Sequence, residues 1–322
     1  AVAGTIAAPV AYADGHLGIT PYGRVNNAID ISDSGDNNNV DLSGVASRFG
    51  FKGAGDIGNG MTAIGRYEFS TVSDKEGTGV GDTRLAYVGL QGGFGTITMG
   101  NQWSAYFNTV GTYMSPTYSL GYFLYSSVAG LPFRSSNTIK YANSFGPVNL
   151  EADIRLNDSG EGGDVAEKLR GNGYGIAGTV SPTDNITLAL AWDQEEPQAD
   201  ETGVVAEDEE RFGIAGTFGF GNFGINLGWS SLEQGSASGG NAQEVELLQL
   251  YLSAGLGDKT TLLVGFGQAD NAVANTEPSS WFLGAYYNMG GGLRLWGETT
   301  SVDYDDGGDD VTQTLLGMRI DF

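Results

Sequence analysis

From Asp14 onward the sequence alternates apolar and polar residues with a period of two, in stretches of about ten residues broken by turn-forming residues. In the stretch from Val148 to Leu156, the residues Val148, Leu150, Ala152, Ile154 and Leu156 share one face. Asn149, Glu151, Asp153 and Arg155 share the other. Ile186, Leu188, Leu190 and Trp192 alternate with Thr187, Ala189, Ala191 and Asp193 in the same way, and Phe223, Ile225, Leu227 and Trp229 with Gly224, Asn226 and Gly228. Successive side chains of a strand point to opposite sides, so the pattern specifies strands with one apolar and one polar face. The 53 glycines among 322 residues are more than twice the usual share and disfavour long helices.

The connections come in two kinds that take turns. Short ones fall at Asp56 to Gly60, Gly92-Gly93, Gly146-Pro147, Ser181 to Asn185, Gly221-Asn222, Gly257-Asp258 and Met289 to Gly292. Long ones, rich in Asp, Glu, Asn and Gly, fall near 33–41, 73–82, 103–133, 158–172, 195–209, 233–243, 271–278 and 304–310. Seven short and eight long connections imply sixteen strands with one trimmed and one elaborated rim, as in a transmembrane β-barrel.

A soluble β-sandwich also alternates, but its second face does not carry charges in register from strand to strand. Here Arg24, Arg48, Lys52, Arg66, Glu68, Arg84, Arg134, Lys140, Arg155, Arg211 and Arg319 are all read as lying opposite apolar neighbours, which suits a water-filled lumen. The stretch from Glu244 to Leu256 departs from the pattern, because Glu244 and Glu246 share parity with Leu248, Leu250 and Leu252. A bulge, or an extension beyond the bilayer, accounts for it.

Composition removes other classes. No run reaches the roughly 18 to 20 apolar residues of a transmembrane helix. With no cysteine, disulfide scaffolds, thiol catalysis and cysteine-zinc sites are excluded. A net charge of −24 repels phosphates and argues against nucleic-acid binding, while 40% hydrophobic residues argue against disorder. His16 is the one histidine, so a Ser-His-Asp arrangement or a histidine metal site has no second anchor; the reading is not an enzyme, with no cofactor.

The chain ends on an alternating segment in which Leu316, Met318, Ile320 and Phe322 face one way and Arg319 and Asp321 the other. With this terminal aromatic strand, and with Ser47-Arg48-Phe49-Gly50-Phe51-Lys52-Gly53, Thr83-Arg84-Leu85-Ala86-Tyr87-Val88-Gly89-Leu90 and Arg134 seven residues before Tyr141, the chain resembles the general trimeric porins of Gram-negative bacteria over nearly its whole length after Asp14. The resemblance implies an all-β, 16-stranded antiparallel transmembrane barrel with an inward-folded third loop. It implies a homotrimer in the outer membrane, in contact with lipid and lipopolysaccharide, that passes small hydrophilic solutes and ions by passive diffusion. A substrate-preferring channel for sugars or anions, or an adhesion or binding barrel, is the alternative. It also implies that Arg24, Arg48, Arg84 and Arg134 line one wall at the narrowest level; Lys52, Arg66, Glu68, Lys140 and Glu151 are further lumenal candidates.

Guanidinium groups stay charged, so a cluster of them needs water or answering carboxylates. Pairing within the wall and a lumenal role are compatible. The segment 103–133 takes the place of the third loop, with Tyr113, Pro116, Thr117, Tyr118 and Ser119 as the expected constriction. It departs from the family in carrying no glutamate; no Asp, Glu, Lys or Arg occurs from Leu85 through Phe133. Tyr106, Tyr113, Tyr118, Tyr122 and Tyr125 offer hydroxyls and rings to solutes, or pack the loop against the wall.

Acidic residues concentrate in the long connections, including Glu195, Glu196, Asp200, Glu201 and Glu207 to Glu210. Asp305, Asp306, Asp309 and Asp310 are weak candidates for divalent cations, since they lack the spacing of a calcium loop; a solvated, self-repelling loop is the plainer reading. The first thirteen residues, ending Ala11-Tyr12-Ala13, read as the tail of a secretory signal, or else as a first strand, leaving residues 14–322 as a single porin barrel domain.

Overall fold

The computed structural model describes residues 17–35, 37–75, 79–122, 124–125, 133–156, 170–197, 208–234, 243–305 and 310–322. The expected signal tail, together with Asp200, Glu201, Glu207, Asp306 and Asp309, lies outside these residues. Sixteen antiparallel strands follow one another around a closed sheet. They are β1 (Gly18–Ser34), β2 (Asn37–Gly44 resuming as Arg48–Gly58), β3 (Met61–Thr71), β4 (Val80–Gly92), β5 (Gly95–Trp103), β6 (Arg134–Phe145), β7 (Val148–Arg155) and β8 (Arg170–Thr183). There follow β9 (Ile186–Pro197), β10 (Glu209–Phe220), β11 (Phe223–Gln234), β12 (Gln243–Leu256), β13 (Thr260–Asn271), β14 (Ser279–Gly290), β15 (Leu293–Asp303) and β16 (Val311–Asp321). The last strand pairs with the first, from Arg24 opposite Asp321 to Asp33 opposite Thr312. Gly23 and Phe322 exchange backbone hydrogen bonds of 2.9 and 3.1 Å across the seam.

The two faces differ as the alternation requires. Ile176, Leu188, Leu190, Ile214, Leu227, Leu248, Val264, Leu283 and Leu316 stand exposed on the outside. Their neighbours Ala177, Ala189, Ala191, Ala215, Leu247 and Leu315 are buried on the inside. This inversion of the soluble pattern, with large apolar side chains outward, suits contact with lipid.

One local expectation is corrected and two are made specific. The connection expected at 33–41 is a tight hairpin, because β1 runs to Ser34 and pairs directly with Asn37; Gly35 has φ +70°, the left-handed backbone that a tight turn needs. The break in register falls later, at residues 45–47. There β2 kinks with Ala46 at φ +52°, and Asn26 fills the gap by donating from Nδ2 to the Val45 carbonyl (2.9 Å) and from its backbone N–H to Ser47 Oγ (2.9 Å). Near Glu244 and Glu246 there is no bulge, since β12 stays in register with both neighbours from Val245 to Ala254. Both glutamates face outward, and the extension of β12 beyond the apolar belt explains them.

Arg84 faces inward as expected but not by simple alternation, since its parity groups it with Val88 and Leu90 on the outer face. A register shift between Glu68 and Phe69, opposite Leu85 and Thr83 respectively, leaves Arg84 unpaired and turns it inward to Glu68.

A charge placed on the outer face should be costly. Leu190→Arg is expected to lower stability by about 2–4 kcal/mol, read by reversible folding into lipid bilayers.

Candidate functional site

After β5 the chain does not turn back as a hairpin. Ser104 Oγ accepts the Phe107 N–H (3.0 Å) ahead of the short helical turns Phe107–Gly111 and Thr112–Met114. Two wall carboxylates hold this start: Asp153 accepts the Ala105 N–H (2.7 Å), and Glu151 accepts Asn108 Nδ2 (2.9 Å) while pairing with Lys140 at 3.1 Å. The helical part then lies against the inner faces of β8 to β13, where Tyr106 Oη donates to the Phe212 carbonyl (3.2 Å).

That wall is made of small residues for a steric reason. A Cβ on Gly213 would come within 2.3 Å of Tyr106 Oη, and one on Gly228 within 2.4 Å of Met114 Cγ. Ala177, Ala189, Ala191, Ala215 and Ala269 complete the surface. Val110, Met114 and Leu124 are fully buried there, each contributing about 1.5–3 kcal/mol.

The tip of the segment is held by one carboxylate. Glu298 on β15, 1% exposed, accepts the N–H groups of Tyr118 (2.6 Å), Ser119 (3.0 Å) and Leu120 (2.8 Å), and the Tyr286 hydroxyl (2.7 Å). Charge-assisted bonds of this kind are about twice as strong as neutral ones. Gly121 O accepts Tyr251 Oη at 3.0 Å.

Strands β15, β16 and β1 to β4 carry a band of cations on their inner faces. Arg24 lies directly opposite Arg48, Lys52 opposite Arg66, and Arg294 opposite Arg319. Like charges in directly opposed positions destabilise a sheet. Two carboxylates answer them. Glu68, fully buried, takes Arg66 at 2.8 Å, Arg84 at 2.9 Å, Arg48 at 3.7 Å and the Tyr22 hydroxyl at 2.8 Å. Asp321 takes Arg24 at 2.7 Å, Arg319 at 2.9 Å, and Arg294. Six arginines and Lys52 thus face Glu68 and Asp321. Arg48 also feels the charges of Arg24, Arg84 and Arg319, and Arg134 feels that of Arg84. Arg134 itself lies 5.1 Å over the Trp103 ring.

Among the other sequence candidates, Lys52 sits 4.7 Å from the centre of the Tyr22 ring, and Lys140 and Glu151 pair with each other. Tyr113, Pro116, Tyr118 and Ser119 are half-buried and Thr117 is buried. Tyr118 meets Arg319 at 4.5 Å, Tyr286 at 4.7 Å and Trp296 at 5.7 Å. Tyr106 and Tyr125 are fully buried and pack the segment. Burial raises the Tyr113 phenol above its ordinary range and keeps it neutral. Asp305 and Asp310 are exposed, and among the described residues no group of three or more His, Cys, Asp or Glu is placed to hold a metal.

Sequence reasoning missed Glu298, Arg294 and Tyr22, and placed Asp321 and Asp193 on the polar face without a role. Asp193 bridges Arg155 (2.7 Å) and Arg211 (2.8 Å), and it shares the register partner Gly175 with the Asp153 anchor. The available signal was parity: Arg294, Trp296 and Glu298 share one face of β15, so Glu298 belonged to the lumen.

Glu298→Gln should replace an acceptor oxygen with a donor facing the backbone amides of the tip. The loss of one charge-assisted bond, about 1.5–3 kcal/mol, predicts a roughly tenfold or greater fall in hydrogen-exchange protection at Tyr118 to Leu120, with the amides of β15 unchanged.

Residues 1–307 match the family model described as Gram-negative porin. Outer membrane protein F of Serratia marcescens is 28% identical over 155 residues, 45% of this chain and 41% of that protein, so the match spans less than half of this relative. Among solved structures, the anion-selective porin from Comamonas acidovorans superposes with a TM-score of 0.83 at 18% identity, covering 95% of this chain and 100% of its own. The trimer form of OmpT of Vibrio cholerae gives 0.73 at 15% identity, covering 95% and 99%. With a family match across most of its length and a closed sixteen-stranded barrel, this chain belongs to the Gram-negative porins of the outer membrane.

Proposed function

We propose that the protein is a passive diffusion channel for small hydrophilic solutes and ions, assembled as a homotrimer. In this reading the segment from Ser104 to Tyr125 is an inward-folded constriction loop, and Arg24, Arg48 and Arg84 form the wall it faces, with Arg134 beside Trp103 at the edge. The observation that carries the reading is the imbalance on that wall: six arginines and Lys52 against two carboxylates, across from a loop without charged side chains. Neither carboxylate is free, because each is held between arginines. A passing anion meets net positive potential, and the loop supplies neutral hydroxyl and backbone groups. The shared fold with a porin recorded in trimer form supports the assembly; a trimer mass in detergent that dissociates on heating would test it.

Selectivity is set by two charged regions that salt screens unequally. The acidic connections at the mouth concentrate cations, and the basic wall favours anions. The Debye length is about 10 Å at 0.1 M and about 3 Å at 1 M, and exposed charges are screened more fully than those in a narrow pore. The expected outcome is a mild cation preference at low salt that moves to neutral or weakly anionic at high salt. Unit charges about 10 Å apart in unscreened water interact by about 0.4 kcal/mol, so Arg48→Ala should lower the high-salt anion-to-cation permeability ratio by no more than about fourfold. Reversal potentials across a salt gradient in planar bilayers measure both effects; a cation preference that grows with salt contradicts the reading.

A further inference from the structure

Below the tip of the segment, beside the short turn Gly257-Asp258-Lys259, lies a cavity of about 260 Å³. Four of its residues are two directly opposed pairs on the inner face, Thr261 with Tyr286 and Asn288 with Arg294. Tyr118 closes it from the tip and Lys259 from the turn. Asp258 is the carboxylate among its lining residues. Arg294 shares the single carboxylate of Asp321 with Arg24 and Arg319, so its charge is only partly answered. Asn288 spends its side-chain carbonyl on the Gly290 N–H (3.0 Å), which leaves its amide group to donate.

This arrangement adjoins the band of arginines through Arg294 and adds a second cation, Lys259, from the turn. Two cations stand on one small cavity, and between them are a hydroxyl and an amide donor held on rigid strands. A monovalent halide is small enough to be held by one cation and its nearest donor. A solute with a dianionic head and several hydroxyls uses both cations and both donors. The volume lies below the roughly 300 Å³ at which pockets for drug-sized ligands begin, which limits the occupant to about the size of one sugar ring. We infer that the cavity retains sugar phosphates, with the phosphate on Arg294 and Lys259 and the sugar hydroxyls on Thr261 and Asn288. The site lies on the side of the short turns, past the constriction for a solute arriving from the long connections. The inference rests on the reading of the constriction as anion-favouring.

Glucose 6-phosphate is the probe, added to the short-turn side of single channels in planar bilayers at 1 M KCl. Wild type is expected to show concentration-dependent current noise that equal concentrations of glucose do not produce. In the double variant Lys259→Gln, Asn288→Leu the chloride conductance stays at the wild-type level, showing that the barrel is intact. The apparent affinity for glucose 6-phosphate falls roughly tenfold or more, as expected for losing a charge-assisted hydrogen bond. Noise unchanged in the double variant, or absent in a wild type whose reversal potential still favours anions, overturns the retention site alone. Equal noise from inorganic phosphate shows that the sugar donors play no part and overturns the assignment to sugar phosphates. A wild-type reversal potential favouring cations at 1 M salt overturns instead the reading of the constriction on which the site depends.

Discussion

Inside a bilayer every backbone N–H and C=O must find its partner within the protein, and the pairing of β16 with β1 supplies the partners at the last sheet edge. Once that seam is closed, each strand has a fixed inner and outer side, and the outer side must be apolar. The inner side of a sixteen-stranded barrel is too wide for facing side chains to fill, so it can hold charges. The segment from Ser104 to Tyr125 uses this room. It lies on a patch where β8 to β13 have given up side-chain volume, with Gly213 and Gly228 under Tyr106 and Met114.

The chain carries a net charge of −24, yet its lumenal band is basic. The two facts agree because the inner carboxylates are committed as acceptors. Glu68 and Asp321 each hold several arginines, Asp153 and Glu151 hold the start of the segment, and Glu298 holds its tip. Removing one member of such a group leaves the others charged and unpaired, which is why breaking a buried pair costs more than the pair itself contributes. Much of the acidic surplus lies in the connections between strands, where water can screen it.

Strand number, the turn rhythm and the inward face of β7, β9 and β11 were legible because a period of two survives any local detail. Arg24, Arg48 and Lys52 were legible for the same reason. Arg84 was expected on the same side and lies there, but the unpaired residue that turns it inward was not legible, because no residue type announces it. The hairpin at Ser34 and Asn37 was hidden by a polar composition that suits a long loop as well as an extended strand pair. Glu246 left a bulge and an extension beyond the bilayer both open, because parity says which side a residue faces but not how high it stands.

The uncharged tip and the buried Glu298 belong to one arrangement. A tip that reached the wall through its own carboxylate would need a cation beneath it and would place a negative charge beside Arg319 and Arg294. Here the direction is reversed: the wall supplies the carboxylate, and the tip answers with backbone N–H groups. Those donors are available from any sequence, so the side chains at the tip are released from anchoring. Tyr118 can then lay its ring against Arg319 at 4.5 Å, where a carboxylate would have neutralised the guanidinium. The absence of charge from Leu85 through Phe133 fits where the anchor sits, and the tip adds no carboxylate beside Arg319.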